Sequence, residues 1–302
     1  MLDAMGAASV EELFADIPAD ARLTKPLSLP DPMSEMDLVT HMRSLAQKNL
    51  DSSRLVCFLG GGIYDHFVPA VVDAMISRGE FATSYTPYQP ELSQGMLQAT
   101  YEFQSLICAL TAMDMANASM YDGATAMAEA ALMLCAATGR TQVVVSQAVH
   151  PHYRQVLRTY CEGLAIEVVE CGISDGTTDL DALARAVSDR TACAIIQQPN
   201  FLGCVEDIGA FASIIHHHGT KSIVSADPVS LGLLEPPGEF GVDVVVGEGQ
   251  GLGVPMGFGG PLLGFFACSA AYQRRMPGRI VGMTHDAQGR RGFTMTLRTR
   301  EQ

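Results

Sequence analysis

The side chains best equipped for chemistry cluster in one stretch, YTPYQPELSQG at 85–95. It offers the phenols of Tyr85 and Tyr88, the amide of Gln89, the carboxylate of Glu91 and the hydroxyl of Ser93, without a lysine. Pro87 and Pro90 fix φ at about −65° and bias Thr86 and Gln89 away from helix, so the backbone is expected to be extended and stiff. Such a segment buries little, but it holds polar groups in set directions. Two readings are open: a rigid connector between helices, which composition favours, or an arm reaching into an active site, its own or a neighbour's.

Other clusters are weaker. Gly60, Gly61 and Gly62 lack the Lys-Ser/Thr of a phosphate loop and read as a tight turn before Tyr64 and His66. His216, His217 and His218 sit about 100° apart around a helix and cannot face one metal ion; a solvated helix end is expected. His150 and His152 read as a strand-end turn, and Glu206 with Asp207 as a solvated helix start. Met113, Met115, Met120, Met127 and Met133 read as core filler. The eight cysteines are scattered and form no Cys-x-x-Cys pair, which points to free thiols in a reducing compartment. Lysine is scarce: Lys25, Lys48 and Lys221 are the whole inventory.

A net charge of −14 argues against nucleic acid or anionic membrane as a partner. Neither a signal peptide nor an apolar run of membrane-spanning length stands out, so the reading is a cytoplasmic globular protein. Seven of the sixteen arginines crowd into 274–300: Arg274, Arg275, Arg279, Arg290, Arg291, Arg298 and Arg300. Ion pairs within the fold or across an interface are favoured for them over a docking patch for an acidic group.

These groups must be held by two kinds of element. Before residue 96 the pattern is helical: 1–17, then a proline-rich connector, then 34–49. Val68, Val71, Val72, Met75 and Ile76 mark a further helix, with Pro69 in its first turn and Gly79 past its end. Ser93 is placed to cap a helix carrying Leu97, Phe103, Leu106, Ile107, Leu110 and Met113. From residue 117, apolar runs at 142–146, 166–171, 191–197, 221–226 and 242–247 alternate with helical stretches at 124–138, 150–162, 179–188 and 206–218. That alternation predicts a mostly parallel sheet covered on both faces. The run 261–268 is placed to close the sheet, and Phe293, Met295 and Leu297 after Gln288 and Gly289 suggest a hairpin. The glycine-rich run 247–264 fits close backbone packing at a subunit contact.

The runs FLGGGIYDH at 58–66, PAVVD at 69–73, YTPYQPELSQG at 85–95 and ASMYDGAT at 118–125 resemble the glycine cleavage system P-protein, subunit 1 of its two-chain form in particular. The similarity extends along the whole chain. It implies a fold type I large domain of pyridoxal-phosphate enzymes over 96–302, preceded by a helical segment and interface arm over 1–95. It also implies sequence before Met1 and a small C-terminal domain whose leading helix starts near Arg300, which makes the chain a fragment. On that reading Phe293, Met295 and Leu297 have nothing local to pack against and form an open edge.

In the resembled family, Asp122, Gly123, Ala124 and Thr125 fall at the cofactor phosphate, His150 at the ring that stacks on the pyridine, and Asp227 at the pyridinium nitrogen. The Schiff-base lysine is missing: where it should stand the sequence reads GEGQGLGVP at 247–255, and no lysine follows. Asp122 is itself a good N-cap, so its carboxylate competes with a phosphate. The resemblance therefore implies a vestigial site without cofactor and without metal. Pyridoxal phosphate would sit on a lysine-bearing subunit 2 in an α2β2 assembly acting on glycine with a lipoylated H-protein. Tyr85, Tyr88, Gln89, Glu91 and Ser93, with Tyr64 and His66 beside them, are then the groups lent to the partner's site. The alternative is a scaffold subunit that lends none.

Overall fold

The computed structural model describes residues 1–23, 25–257 and 260–297, and the chain divides into two compact units, Met1–Val56 and Cys57 onward. In the first unit, α1 (Leu2–Met5) is stopped by Gly6 in the left-handed conformation, a single 3-10 turn spans Glu11–Phe14, and α2 (Glu35–Ala46) follows. The one helix expected over 1–17 is thus broken after its first turn. None of the described residues in this unit is buried, and a helix this short without a packed face gains too little to propagate. α2 starts where its cap stands: Ser34 Oγ accepts from Asp37 N at 3.2 Å.

The second unit opens with α3 (Ala70–Ile76) and α4 (Gly79–Ala82). Pro69 is the N-cap of α3, not part of its first turn, and Gly79 begins the next helical turn instead of ending this one. The apolar stripe of α3 is present, but Val71, Met75 and Ile76 remain exposed. The arm at 85–89 is extended apart from a tight turn at Pro87, where Tyr88 N donates to the Thr86 carbonyl at 2.8 Å, and it ends in a 3-10 turn at Pro90–Leu92. Ser93 then stands at the N-cap of α5 (Gln94–Thr111), but its side chain makes no capping hydrogen bond; its backbone, at φ −129° and ψ 26°, lies outside the extended geometry typical of a cap.

The body is a seven-stranded sheet in the order β1-β9-β8-β7-β6-β2-β3, formed by β1 (Met115–Ala116), β2 (Gln142–Ser146), β3 (Glu167–Cys171), β6 (Thr191–Gln198), β7 (Lys221–Ala226), β8 (Val244–Glu248) and β9 (Gly264–Cys268). Strands β3, β2, β6, β7 and β8 run parallel, and β9 pairs antiparallel with β8 and β1. β2, β6, β7 and β8 are buried on both sides, while the edge strand β3 is only partly covered. Val143 and Val145 face α6 (Gly123–Thr138) and α7 (Pro151–Cys161), while Val144 faces α5, α8 (Leu180–Ala186) and α9 (Ile208–His217). That two-sided burial is why the strands read as unbroken apolar runs. Ala126, Met127, Ala128, Ala130 and Ala131 are fully buried; four small residues in five let α6 lie close on the sheet.

Besides α4, the sequence did not anticipate β1 or the hairpin of two two-residue strands, β4 (Ile173–Ser174) and β5 (Thr177–Thr178). Another expectation is overturned. The hairpin of β10 (Ile280–His285) and β11 (Arg291–Thr296) is not open: Phe293 and Met295 are buried with Val281 and Leu97 against Tyr101. Two amides of α5 bind its backbone. Gln104 exchanges bonds of 2.9 and 3.0 Å with Val281 N and O, and Gln94 exchanges two of 2.8 Å with Phe293. Leu297 stays exposed, and the expected helix from Arg300 lies outside the described residues.

The arginine cluster also departs from expectation. Among the described residues only Arg290 forms an ion pair, with Asp286 at 2.7 Å. Arg275 donates to the Ala136 carbonyl, Arg291 lies over the Phe293 ring and Arg279 over the Tyr88 ring. Arg298 and Arg300 fall outside the described residues.

Candidate functional site

A cavity of about 260 Å³ opens beyond the carboxyl ends of the parallel strands, where open α/β sheets place their ligands. Residues at or just past the ends of β2, β6, β7 and β8 line it: His150, Gln197, Asp227 and Glu248, joined by Tyr153 of α7 and by Tyr64 and His66 from the amino-terminal side. Of the expected positions, His150 and Asp227 line this cavity, and Asp122 stands beside it through the bond of its neighbour Gly123 to Glu248.

The start of α6 is closed by two carboxylates. Asp122 Oδ1 accepts from Thr125 N at 2.7 Å, the N-cap expected of it, while Thr125 Oγ1 accepts from Asp122 N and completes a capping box. Glu248, which the sequence did not single out, reaches across from the end of β8. Its Oε2 accepts from Gly123 N at 3.0 Å, and its Oε1 accepts from Gln250 N and Leu263 N. A Cβ at Gly123 would lie 2.4 Å from the Tyr153 hydroxyl, so only glycine fits this turn. Burial, with Glu248 and Asp122 nearby, pushes the Tyr153 phenol well up from its ordinary value. A phosphate dianion here would meet two carboxylates instead of free N–H groups, so the residues present do not fit pyridoxal phosphate.

His150 is fixed on every side. Its backbone N donates to Gln197 Oε1 at 2.8 Å, and its Nδ1 accepts from His152 N. The remaining proton therefore sits on Nε2, which donates to the Gly61 carbonyl at 2.6 Å. The ring is stacked on Tyr153, centroids 4.9 Å apart. Burial, with His152 and Arg154 adding to it, lowers its pKa from the usual imidazole range, so the neutral form prevails at neutral pH. The glycine turn expected at 60–62 is present, all three at positive φ, and a Cβ on Gly62 would come 3.0 Å from the His150 ring. Those glycines let the chain close over the imidazole. The 247–264 run likewise provides close packing within the chain: a Cβ on Gly251 would meet the His66 ring at 2.9 Å.

Asp227 is exposed and spends Oδ1 on Val229 N at 3.2 Å. Lys221 lies at the other end of β7, about 20 Å away at strand rise, with Nζ 3.2 Å from Asp243 Oδ1. Lys25 and Lys48 belong to the first unit.

Glu206 corrects the sequence reading. Expected to be solvated, it is only 6% exposed. Its carboxylate accepts from Thr178 N and from Asn200 Nδ2 at 2.7 Å, which pins the loop bearing Asn200 and Phe201 beside the cavity. Asp207 alone is the helix cap, accepting from Ala210 N. No group of three or more metal-ligating side chains occurs among the described residues, and His216 stands 3.9 Å from Asp243.

The arm residues lie elsewhere. Tyr85 is 87% exposed, Tyr88, Gln89 and Glu91 are exposed, and Ser93 is half-buried. Tyr88 neighbours Arg279, whereas Tyr64 and His66 line the cavity with His150, so the structure divides the expected set between two places.

The architecture and the position of the cavity define the class: a large domain of the type I fold of pyridoxal-phosphate enzymes. A sphingosine-1-phosphate lyase from Burkholderia pseudomallei shares the fold at a TM-score of 0.60 and 17% identity, over 94% of this chain and 68% of that one. The crystal structure of glycine decarboxylase (P-protein) of the glycine cleavage system, in inhibitor-bound form, superposes at a TM-score of 0.91 with 49% identity, over 98% of this chain and 66% of that chain. The family model for the glycine cleavage system P-protein matches residues 1–302. The chain belongs to that family. Within it, similarity lies with "Probable glycine dehydrogenase (decarboxylating) subunit 1": 54% identity to that of Brevibacillus brevis and 50% to that of Desulforamulus reducens, over 100% of this chain and 67% and 68% of theirs. The chain thus spans about two thirds of the length of these relatives. No helix among the described residues is long and apolar enough to cross a membrane.

Proposed function

We propose that this chain is the lysine-free subunit of a two-subunit glycine decarboxylase. It carries no pyridoxal phosphate, pairs with a lysine-bearing subunit 2 in an α2β2 assembly, and lends its arm to that subunit's active site. There glycine loses CO₂ and the aminomethyl group passes to the lipoyl arm of the H-protein, in the cytoplasm. The observation that carries this reading is the closure of the α6 N-terminus by Asp122 and Glu248, in a sequence with no lysine after Lys221. Bound on the partner, pyridoxal phosphate would supply the electron sink for decarboxylation.

This chain's part is to position groups and exclude water. Residues 96–302 form the large domain, and 1–95 the interface segment and arm. An extended arm with Tyr85 almost wholly exposed suits a segment that completes its environment on another subunit. Tyr85, Tyr88, Gln89, Glu91 and Ser93 would then wall the partner's cavity and keep it dry. Tyr64 and His66, which line this chain's own cavity, would steady its face of the same interface.

The test for the cofactor is borohydride reduction of the chain with pyridoxal phosphate, followed by peptide mapping. No lysine should be labelled stoichiometrically; one labelled lysine with a matching visible absorption band overturns the assignment. The test for the arm is Tyr88→Ala in a chain assembled with subunit 2 and H-protein. Glycine-dependent exchange of labelled bicarbonate should fall with assembly intact. Unchanged exchange would make the subunit a scaffold.

A further inference from the structure

A second cleft, about 490 Å³, lies between the arm, α5, the loop after β1 and the start of β10. Buried Asn117 ties two of its walls together. Asn117 Oδ1 accepts from Ser119 N at 3.1 Å, and Asn117 Nδ2 donates to the Pro277 carbonyl at 3.0 Å. Ala118 N donates to the Arg279 carbonyl at 2.7 Å, so Ser119 and Arg279 are carried into the cleft on one rigid frame. Ser119 is held at φ +96°, a conformation that serine adopts only when its surroundings impose it, and such residues concentrate at functional sites. Its hydroxyl makes no hydrogen bond among the described residues.

Among the described residues, Arg279 is the only charged side chain lining the cleft. It forms no ion pair among the described residues, although acidic groups outnumber basic ones 33 to 19 in the chain. Its guanidinium lies over the Tyr88 ring, 5.9 Å from the ring centre, within reach of a cation–π contact. The remaining lining is Pro87, Thr100, Ala118, Gly278, Val281 and Met295, and the Thr100 hydroxyl is already donated to the Met96 carbonyl at 2.9 Å.

We propose that this cleft binds a carboxylate bearing a short apolar chain. The Arg279 fork and the Ser119 hydroxyl take the carboxylate, and Val281, Met295 and Pro87 take the chain. A planar monoanion matches one guanidinium, whereas a phosphate dianion calls for further cations or a cluster of backbone N–H groups. The proposal does not rest on the assignment of the arm to a partner's site.

It is tested on the 302-residue chain by calorimetry and ligand-observed NMR with hexanoate, acetate, inorganic phosphate and hexylammonium. Hexanoate should bind with a Kd on the order of 1 mM, acetate more weakly, and phosphate and hexylammonium not measurably. Arg279→Gln should weaken hexanoate about tenfold or more with the melting temperature unchanged, and Arg279→Lys should recover only part of the loss. If Arg279→Gln does not fold, Ser119→Ala takes its place and should weaken hexanoate several-fold. Absence of hexanoate binding, binding that ignores the substitutions, or phosphate or hexylammonium binding as tight as hexanoate overturns the proposal.

Discussion

Gln104→Ala offers the sharpest check on how the C-terminal hairpin is held. Gln104 is 6% exposed and bonds both backbone groups of Val281, itself 3% exposed. Gln94 does the same for Phe293 but lies exposed at the start of α5. The bonds are chemically alike, and burial is what separates them. Removing Gln104 leaves a buried N–H and a buried C=O without partners, at roughly 1–3 kcal/mol each, whereas water can replace Gln94 at a cost of about 0.5–1.5 kcal/mol. Hydrogen exchange of the β10 and β11 amides reads local opening without assuming that the whole chain unfolds in one step. For Gln104→Ala we expect opening to be easier by about 2–6 kcal/mol, which is exchange faster by roughly 30- to 25,000-fold. Gln104→Met, which keeps the volume but not the bonds, should lose nearly as much. Equal losses at Gln94 and Gln104, or no loss in Gln104→Met, would refute the reasoning.

The double variant Asp122→Gly, Glu248→Gln should uncover the helix N-terminus and create weak inorganic phosphate binding that the parent lacks, seen by ³¹P NMR. Ala112 ends α5 at φ 54°, so Ala112→Gly should stabilise the fold by about 0.5–1 kcal/mol in urea unfolding. His150 is held below its ordinary value of 6.5 in the folded chain. The unfolded chain therefore takes up its proton first as pH falls. The stability this residue contributes is complete above pH 6.5 and is lost from there down towards the folded value. Wild type should lose more stability than His150→Gln between pH 7.5 and 5.5, and parallel curves would contradict the assignment.

The sequence by itself determined whatever depends on near neighbours. Runs such as 143–145 and 244–246 read as strands buried on both faces, because successive apolar residues on a strand leave no side for water. Asp122 three residues before Thr125 could be read as a cap, and the prolines of the arm biased it away from helix. The missing lysine was plain from inventory alone. Tertiary structure decided what depends on groups far apart in the chain. Glu248 caps Gly123 from 125 residues away, and Gln94 and Gln104 hold the hairpin from 199 and 177 residues away. Glu206 reads as a solvated acid until Thr178 and Asn200 are folded around it. The helix expected over 1–17 fails for the converse reason: its apolar positions have the right spacing, but none of its residues is buried. Local pattern sets what a segment can become, and a hydrogen-bond donor or an apolar face supplied from elsewhere in the chain decides whether it does.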